Sequence, residues 1–242
     1  MLLSPLINLG LRIAPPRLAF RIALMRLRRW RKVEAEWLML DELVDPVRAS
    51  VDVGCNHGIY AGELGLLCPR VHAFEPQPVL AAELRRKLPR NCTVHEIALS
   101  DRSGTAVLRV PIADDGRATL HAANPVEGTE LSVPLVRLDD VVHEPIGFLK
   151  IDVEGHEMSV LRGAERILRE HRPTLLIESE ARHQPGQPLD LFRFLASYGY
   201  SGWFLWSGER VPVEQFDLEV HQPSDETGAC AAYANNFVFV AH

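Results

Sequence analysis

Val51-Asp52-Val53-Gly54-Cys55-Asn56-His57-Gly58 is a β-branched run that ends beside an acid and passes directly into a turn punctuated by two glycines. The run reads as a strand, and the residues from His57 to Leu67 as the helix that follows. Glycines in such a turn let the backbone approach a ligand and adopt dihedrals closed to other residues. Taken alone the turn is also compatible with a tight strand-to-helix connection, so its surroundings decide.

Outward from it the chain keeps one rhythm. Arg70 to Glu75 reads as a strand, Val79 to Leu88 as a helix and Thr93 to Ile97 as a third strand. After a break, Phe148 to Asp152 is a strand, Glu157 to His171 a helix, Pro173 to Glu178 a strand and Leu189 to Tyr198 a helix. Such alternation predicts parallel strands joined by crossover helices, an α/β doubly wound sheet. Between Gly104 and Leu138 the segments Thr105 to Val110, Ala118 to His121 and Leu131 to Val136 are strand-like with no helix between them, which predicts a small β insertion. Gly202 to Trp206 and Phe237 to Val240 read as two closing strands.

Two acids turn this scaffold toward a cofactor. Glu75 stands 21 residues after Gly54, where a carboxylate accepts hydrogen bonds from ribose hydroxyls. Asp52 sits beside the turn, where it would repel a pyrophosphate and attract a ligand carrying an ammonium and a sulfonium. S-adenosylmethionine has both cations. The dinucleotide pattern G-x-G-x-x-G also fails in detail, because Asn56 and Ile59 occupy the second and third glycine positions. A nicotinamide-dependent oxidoreductase is therefore the second choice.

The 242 residues are 47% hydrophobic and 24% charged, which excludes disorder, collagen and coiled coil as descriptions of the whole chain. Eight of the 26 Lys and Arg lie in residues 1–32 with no Asp or Glu, so the rest carries 18 basic against all 32 acidic side chains, a net of −14. That acidic body argues against nucleic acid as a partner. The basic segment, 1–35, is expected to form a helical leader ahead of a catalytic domain at 36–242. Its Leu and Ile residues recur at helical intervals from Leu6 to Arg31, with Pro15 and Pro16 expected to split it into two short helices. Such a leader either touches an anionic membrane peripherally or packs across the domain; Trp30 and Trp37 suit both. Cys55, Cys68, Cys92 and Cys230 show no metal-type spacing. Arginines interrupt every long apolar run, no signal peptide is evident, and a cytoplasmic location is expected.

Several stretches then match together and in order: VDVGCNHGIYAGEL at 51–64, AFEPQP at 73–78, EIALSDRSGTAVL at 96–108, VRLDDVV at 136–142, FLKIDVEGHEMSVLRGAERIL at 148–168 and PTLLIES at 173–179. In these the sequence resembles the FkbM-type methyltransferase family, a branch of the class I S-adenosylmethionine-dependent enzymes. The resemblance implies a Rossmann-like, mostly parallel seven-stranded sheet with a reversed final hairpin, flanked by helices. It implies a cofactor held by Gly54, Cys55, Asn56, Gly58 and Glu75, together with Asp52. Ser100 and Asp101 would lie near the adenine, because ALSD stands intact at 98–101. Cys55 departs from the alanine usual in the family, and His57 occupies a variable position.

Methylating a hydroxyl of a sugar or polyketide-like metabolite requires alignment first and proton removal second. Candidates for the base lie where the Phe148 strand delivers Asp152, Glu154 and His156 at its carboxyl end. Glu157 fits a helix-start acid, Lys150 an ion-pair partner, and His183 a second base. A divalent metal held by Asp152, Glu178 and Glu180 is a less favoured variant. The acceptor is expected to be a small-molecule or glycan hydroxyl. A non-catalytic, membrane-associated protein is the remaining alternative, and the sequence is silent on oligomeric state.

Overall fold

The computed structural model describes residues 14–31, 33–111, 118, 120, 128–183, 186–223 and 233–242. Arg-rich helix α1, Pro16–Trp30, starts at a proline, whose fixed φ and missing N–H suit a first helical turn. Pro15 and Pro16 thus stand where a helix starts, as expected of the second of the two short helices, and the first would lie in residues 1–13, outside the described residues. Strand β1 (Ala49–Val53) leads through the glycine turn to α2 (Ile59–Leu67). Then follow β2 (Val71–Phe74), α3 (Pro78–Lys87), β3 (Cys92–His95), β4 (Ala98–Leu99), β5 (Gly104–Pro111) and β6 (Gly128–Val136). The second half comprises β7 (Ile146–Ile151), α4 (Glu157–Arg162), β8 (Thr174–Glu178), α5 (Gln187–Ser197), β9 (Tyr200–Trp206), β10 (Glu209–Pro212) and β11 (Asn236–Ala241). The run expected as one helix from Glu157 to His171 is divided: α4 ends where Gly163 lies against the Ser100 carbonyl, and a π-helical turn occupies Ile167–His171.

The main sheet has the order β10-β9-β11-β8-β7-β1-β2-β3. β3, β2, β1, β7 and β8 pair in parallel, and β11 runs antiparallel between β8 and β9. Strand order reverses between β1 and β7, so a crevice opens at their carboxyl ends, where such sheets place ligands. The sheet has eight strands rather than the expected seven. The extra one is β10, which folds back on β9 through Ser207 and Gly208, both at positive φ (51° and 86°). Two consecutive positive φ values make a type I′ turn, the twist-matched hairpin connection.

Side chains alternate between the two faces. Val51, Val53, Leu149, Ile151, Leu175 and Ile177 pack with Val160, Leu161 and Leu195 on one face; Phe148, Leu176 and Val238 pack with Trp37, Leu64 and Leu84 on the other. Asp52 and Lys150 are in register across β1 and β7. Alternation sends both to the second face, the one the leader covers. There Phe20 and Leu24 of α1 meet Gly62 of α2, Arg17 donates from Nε to the Leu88 carbonyl at 2.9 Å, and Arg28 pairs with Glu63 and Asp41. The leader therefore packs across the domain through this face of α1.

The expected β insertion is present as a separate sheet, β4-β6-β5, with a small core of Ala98, Leu108, Val133 and Leu135. A strand expected at Ala118 to His121 falls mostly outside the described residues; Ala118 and Leu120 pack on that core without strand pairing.

Candidate active site

Gly54, Asn56 and Asp152 stand at the meeting point of two cavities at the carboxyl ends of β1 and β7. The first runs between Glu75, Gln77, Ala98, Leu99 and Val153, with Leu108 and Leu120 of the insertion as a wall. The second, about 300 Å³, lies under the leader between Asp52, Cys55, Tyr60, Lys150, Glu34 and Trp37.

The turn owes its path to close approach. Gly54 has φ 75°, and a β-carbon there would lie 1.8 Å from the Asp152 carbonyl oxygen. Gly54 and Cys55 both donate their N–H groups to the Phe74 carbonyl, which locks the turn onto β2. Glu75, almost fully buried, accepts from the Asn56 amide on Oε2 (2.9 Å) and from the Gln77 amide on Oε1 (3.0 Å). Burial pushes its carboxyl up to about 7 against the pull of those two amides. Each oxygen keeps lone pairs for further donors.

Asp52 is wholly buried, and neither carboxylate oxygen has a well-formed hydrogen bond, the Ala61 amide lending only a weak one. Burial raises its pKa to about 6, with the Lys150 charge opposing and the Asp152 charge adding. A buried carboxylate without a donor costs free energy, so native proteins rarely leave one unless something else completes it. Asn56 Oδ1 is likewise buried and unpartnered. Lys150 donates to Asp152 Oδ2 at 2.9 Å and lies 4.6 Å from the Tyr60 ring centroid. Burial disfavours its charge, but Asp152, Asp52 and Glu178 outweigh that and raise its pKa. The ion-pair role read from the sequence is the one it has.

The other sequence-selected residues scatter around this centre. Glu154, at φ 51°, lines the first cavity and pairs with His183 at 2.9 Å. That contact overcomes burial and raises the His183 pKa. His156 lines the same cavity and its Nε2 lies 3.0 Å from Ser100 Oγ. Ser100 is thus one step behind the cavity wall formed by Ala98 and Leu99, and Asp101 bonds to Ser100 and Arg102. His57 and Gly58 border the second cavity. Asp152, Glu178 and Glu180 do not assemble as expected of a metal site: among the described residues no group of three or more such side chains has metal-holding geometry. Asp152 is committed to Lys150, Glu178 accepts from Asn235 and Glu180 from Arg182.

Glu157 is the helix-start acid its position suggests. Its Oε1 accepts from the amides of Gly155 (2.9 Å) and Val153 (3.4 Å), tying the Asp152-Glu157 turn together. Burial lifts its carboxyl to about 7, only partly countered by those amides. The folded protein therefore holds a proton there that the unfolded chain has already released, and stability falls as pH rises from about 4.5 to about 7. Glu157→Gln keeps the acceptor oxygen and removes the ionisation. It is expected to abolish about 3 kcal/mol of that loss. Urea unfolding at about pH 5 and about pH 8 measures it, and an unchanged difference between the two would contradict this role.

Sequence reasoning did not find Glu34, Trp37 or Tyr60 as site residues. Trp37 is fully buried with its Nε1 on the Ile59 carbonyl, and the Tyr60 hydroxyl bonds Glu34. They meet only because the leader crosses α2, which no local spacing signals.

Residues 52–201, which carry all of this site except its leader wall, match the methyltransferase FkbM domain family. The chain belongs to the FkbM methyltransferase family. Within that family it is 34% identical over 151 residues to the 31-O-demethyl-FK506 methyltransferase FkbM of Streptomyces tacrolimicus, an alignment covering 47% of this chain and 58% of that protein. The crystal structure of methyltransferase FkbM from Methylobacillus flagellatus KT has the same fold, with TM-score 0.54 and 22% identity over 93% of this chain and 55% of that one. This chain thus spans little more than half the length of either relative.

Proposed function

We propose that this FkbM-family protein transfers a methyl group from S-adenosylmethionine to a hydroxyl oxygen of a sugar or polyketide-like metabolite. The buried carboxylate of Asp52, with no well-formed hydrogen bond of its own, carries the reading. A ligand ammonium is the chemistry that would complete it. The rest of the donor set fits the same molecule. Glu75 offers two oxygens to ribose hydroxyls, Ala98 and Leu99 offer an apolar bed for the base, and Gly54 leaves the backbone bare where the two cavities join.

When bound, the cofactor supplies an electrophilic methyl at a sulfonium. The chain's own contribution is mainly positional, an effect worth as much as about 7–11 kcal/mol in well-oriented systems. Asp152 borders both cavities and is held at 2.9 Å by Lys150, so it is the best placed of the acids to receive an acceptor hydroxyl and its proton. Such a base adds about 10²–10⁴-fold. Glu154 with His183, and His156 with Ser100, flank the first cavity and serve as its polar rim. Oxygen as the accepting atom draws support from the Streptomyces tacrolimicus relative, whose name puts the methylated position on oxygen. Nothing at the site favours a nicotinamide dinucleotide, since its pyrophosphate would meet Asp52.

Calorimetry with S-adenosylhomocysteine tests the cofactor. Wild type is expected to bind, and Glu75→Ala to lose about 10-fold or more in affinity through two missing charge-assisted hydrogen bonds. No binding by wild type, or equal binding by the variant, contradicts the proposal. Labelled donor incubated with host metabolite extracts identifies the acceptor.

A further inference from the structure

Helix α1 has two apolar faces, and the domain uses one. Phe20 and Leu24 point inward to α2, as described above. On the other side Leu18, Ile22 and Met25 follow one another at steps of four and three residues, which aligns them in a single stripe. Leu18 and Met25 are 50% and 54% exposed, and Trp30 at the end of the helix is 50% exposed. Arg21 and Arg26 flank the stripe and Arg29 continues it one turn beyond Met25, and among the described residues no carboxylate pairs with any of them. Arg28, by contrast, turns inward to Glu63 and Asp41. A helix packed on a globular domain normally presents a polar outer face; this one presents a second apolar stripe framed by cations.

We infer that the outer face of α1 docks on an anionic lipid surface, with Leu18, Ile22 and Met25 entering the interface and Arg21, Arg26 and Arg29 meeting the headgroups. The charges select this occupant. A two-fold contact of the stripe with a second copy would gather the arginines of both helices into one contact, and α1 carries no carboxylate to offset them. Arginines beside an apolar stripe can cover it with their stems and present their charged heads to anionic headgroups. No helix among the described residues is long and apolar enough to cross a membrane, so the contact is with the surface and not through it. Val33 and Glu34, just beyond the helix, line the cavity beside Asp152. Docking therefore holds that cavity next to the lipid. The inference rests on the helix face alone and stands whether or not the protein methylates a hydroxyl.

Sedimentation of the full chain with vesicles of phosphatidylcholine, or of phosphatidylcholine mixed with phosphatidylglycerol, tests it. Wild type is expected to sediment with the anionic vesicles only. Arg21→Gln, Arg26→Gln and Arg29→Gln combined are expected to lower that partitioning by about 100-fold. Leu18→Glu with Met25→Glu is expected to abolish it, while the melting temperature and S-adenosylhomocysteine binding stay at wild-type values, since these side chains face away from the domain. Wild type that ignores anionic vesicles overturns the inference, as does binding that survives Leu18→Glu with Met25→Glu. A wild-type dimer in solution that these two substitutions split into monomers also overturns it, by assigning the stripe to a second copy.

Discussion

Lys150→Met is expected to lower folding stability by about 3–5 kcal/mol, the cost of removing one partner from a buried ion pair. The side chain is nearly the same length, so the loss is of charge and not of volume. What remains is Asp52 with no more than a weak bond from the Ala61 amide, Asp152 without the 2.9 Å contact that holds it, and Glu178, whose carboxyl burial and the Asp152 charge already push up to about 9. No other cation contributes to the Asp52 balance. For a chain of this size the loss corresponds to a fall of about 6–20 °C in melting temperature. It should grow with pH, because Asp52 and Glu178, both raised by burial, then ionise with no cation beside them. Asp52→Asn in the Lys150→Met background removes one of those charges and is expected to recover part of the loss, so the two substitutions are not additive. A Lys150→Met protein within about 1 kcal/mol of wild type would mean that the ammonium does not hold this cluster together.

The same cluster marks the limit of what the sequence discloses. β1, β2, β7 and β8 and the helices between them are legible because hydrophobic periodicity and glycine punctuation are local, and so is the placement of Asp52 and Glu75 at strand ends. Lys150 is legible as a partner, since a lysine inside a strand as apolar as Phe148 to Ile151 needs a carboxylate. β10 is not: Glu209 to Pro212 is short and mostly polar, and the Ser207-Gly208 turn makes it a strand by folding it back on β9. The leader's contribution is not legible either, because the contact of Glu34 with Tyr60 joins residues that no single helical or strand period relates. Conversely, Asp152, Glu178 and Glu180 look like a ligand set in sequence. In the fold, Lys150, Asn235 and Arg182 each claim one of them.

Gly54→Ala is expected to eliminate S-adenosylhomocysteine binding and to cost more than about 4 kcal/mol of stability, a size reserved for a few named mechanisms. Two of them coincide here. Positive φ at a residue with a β-carbon costs about 1–2 kcal/mol on its own. The larger part comes from space: the added carbon would sit 1.8 Å from the Asp152 carbonyl oxygen, and that oxygen belongs to backbone, not to a side chain that swings aside. Asp152 is pinned to the next strand by its own amide, which donates to the Val53 carbonyl at 3.0 Å, so relief requires β1 and β7 to part at the point where the crevice opens. Parting them also pulls the Asn56 amide off Glu75, which links the clash to the far wall of the first cavity. Gly208→Ala provides the internal control, since Gly208 has φ 86° with nothing within 4 Å of its added carbon and should lose only the dihedral part. Chemical denaturation of both variants beside calorimetry separates the two contributions. Equal losses at the two positions would show that the close approach of the turn to β7 is not what shapes the site.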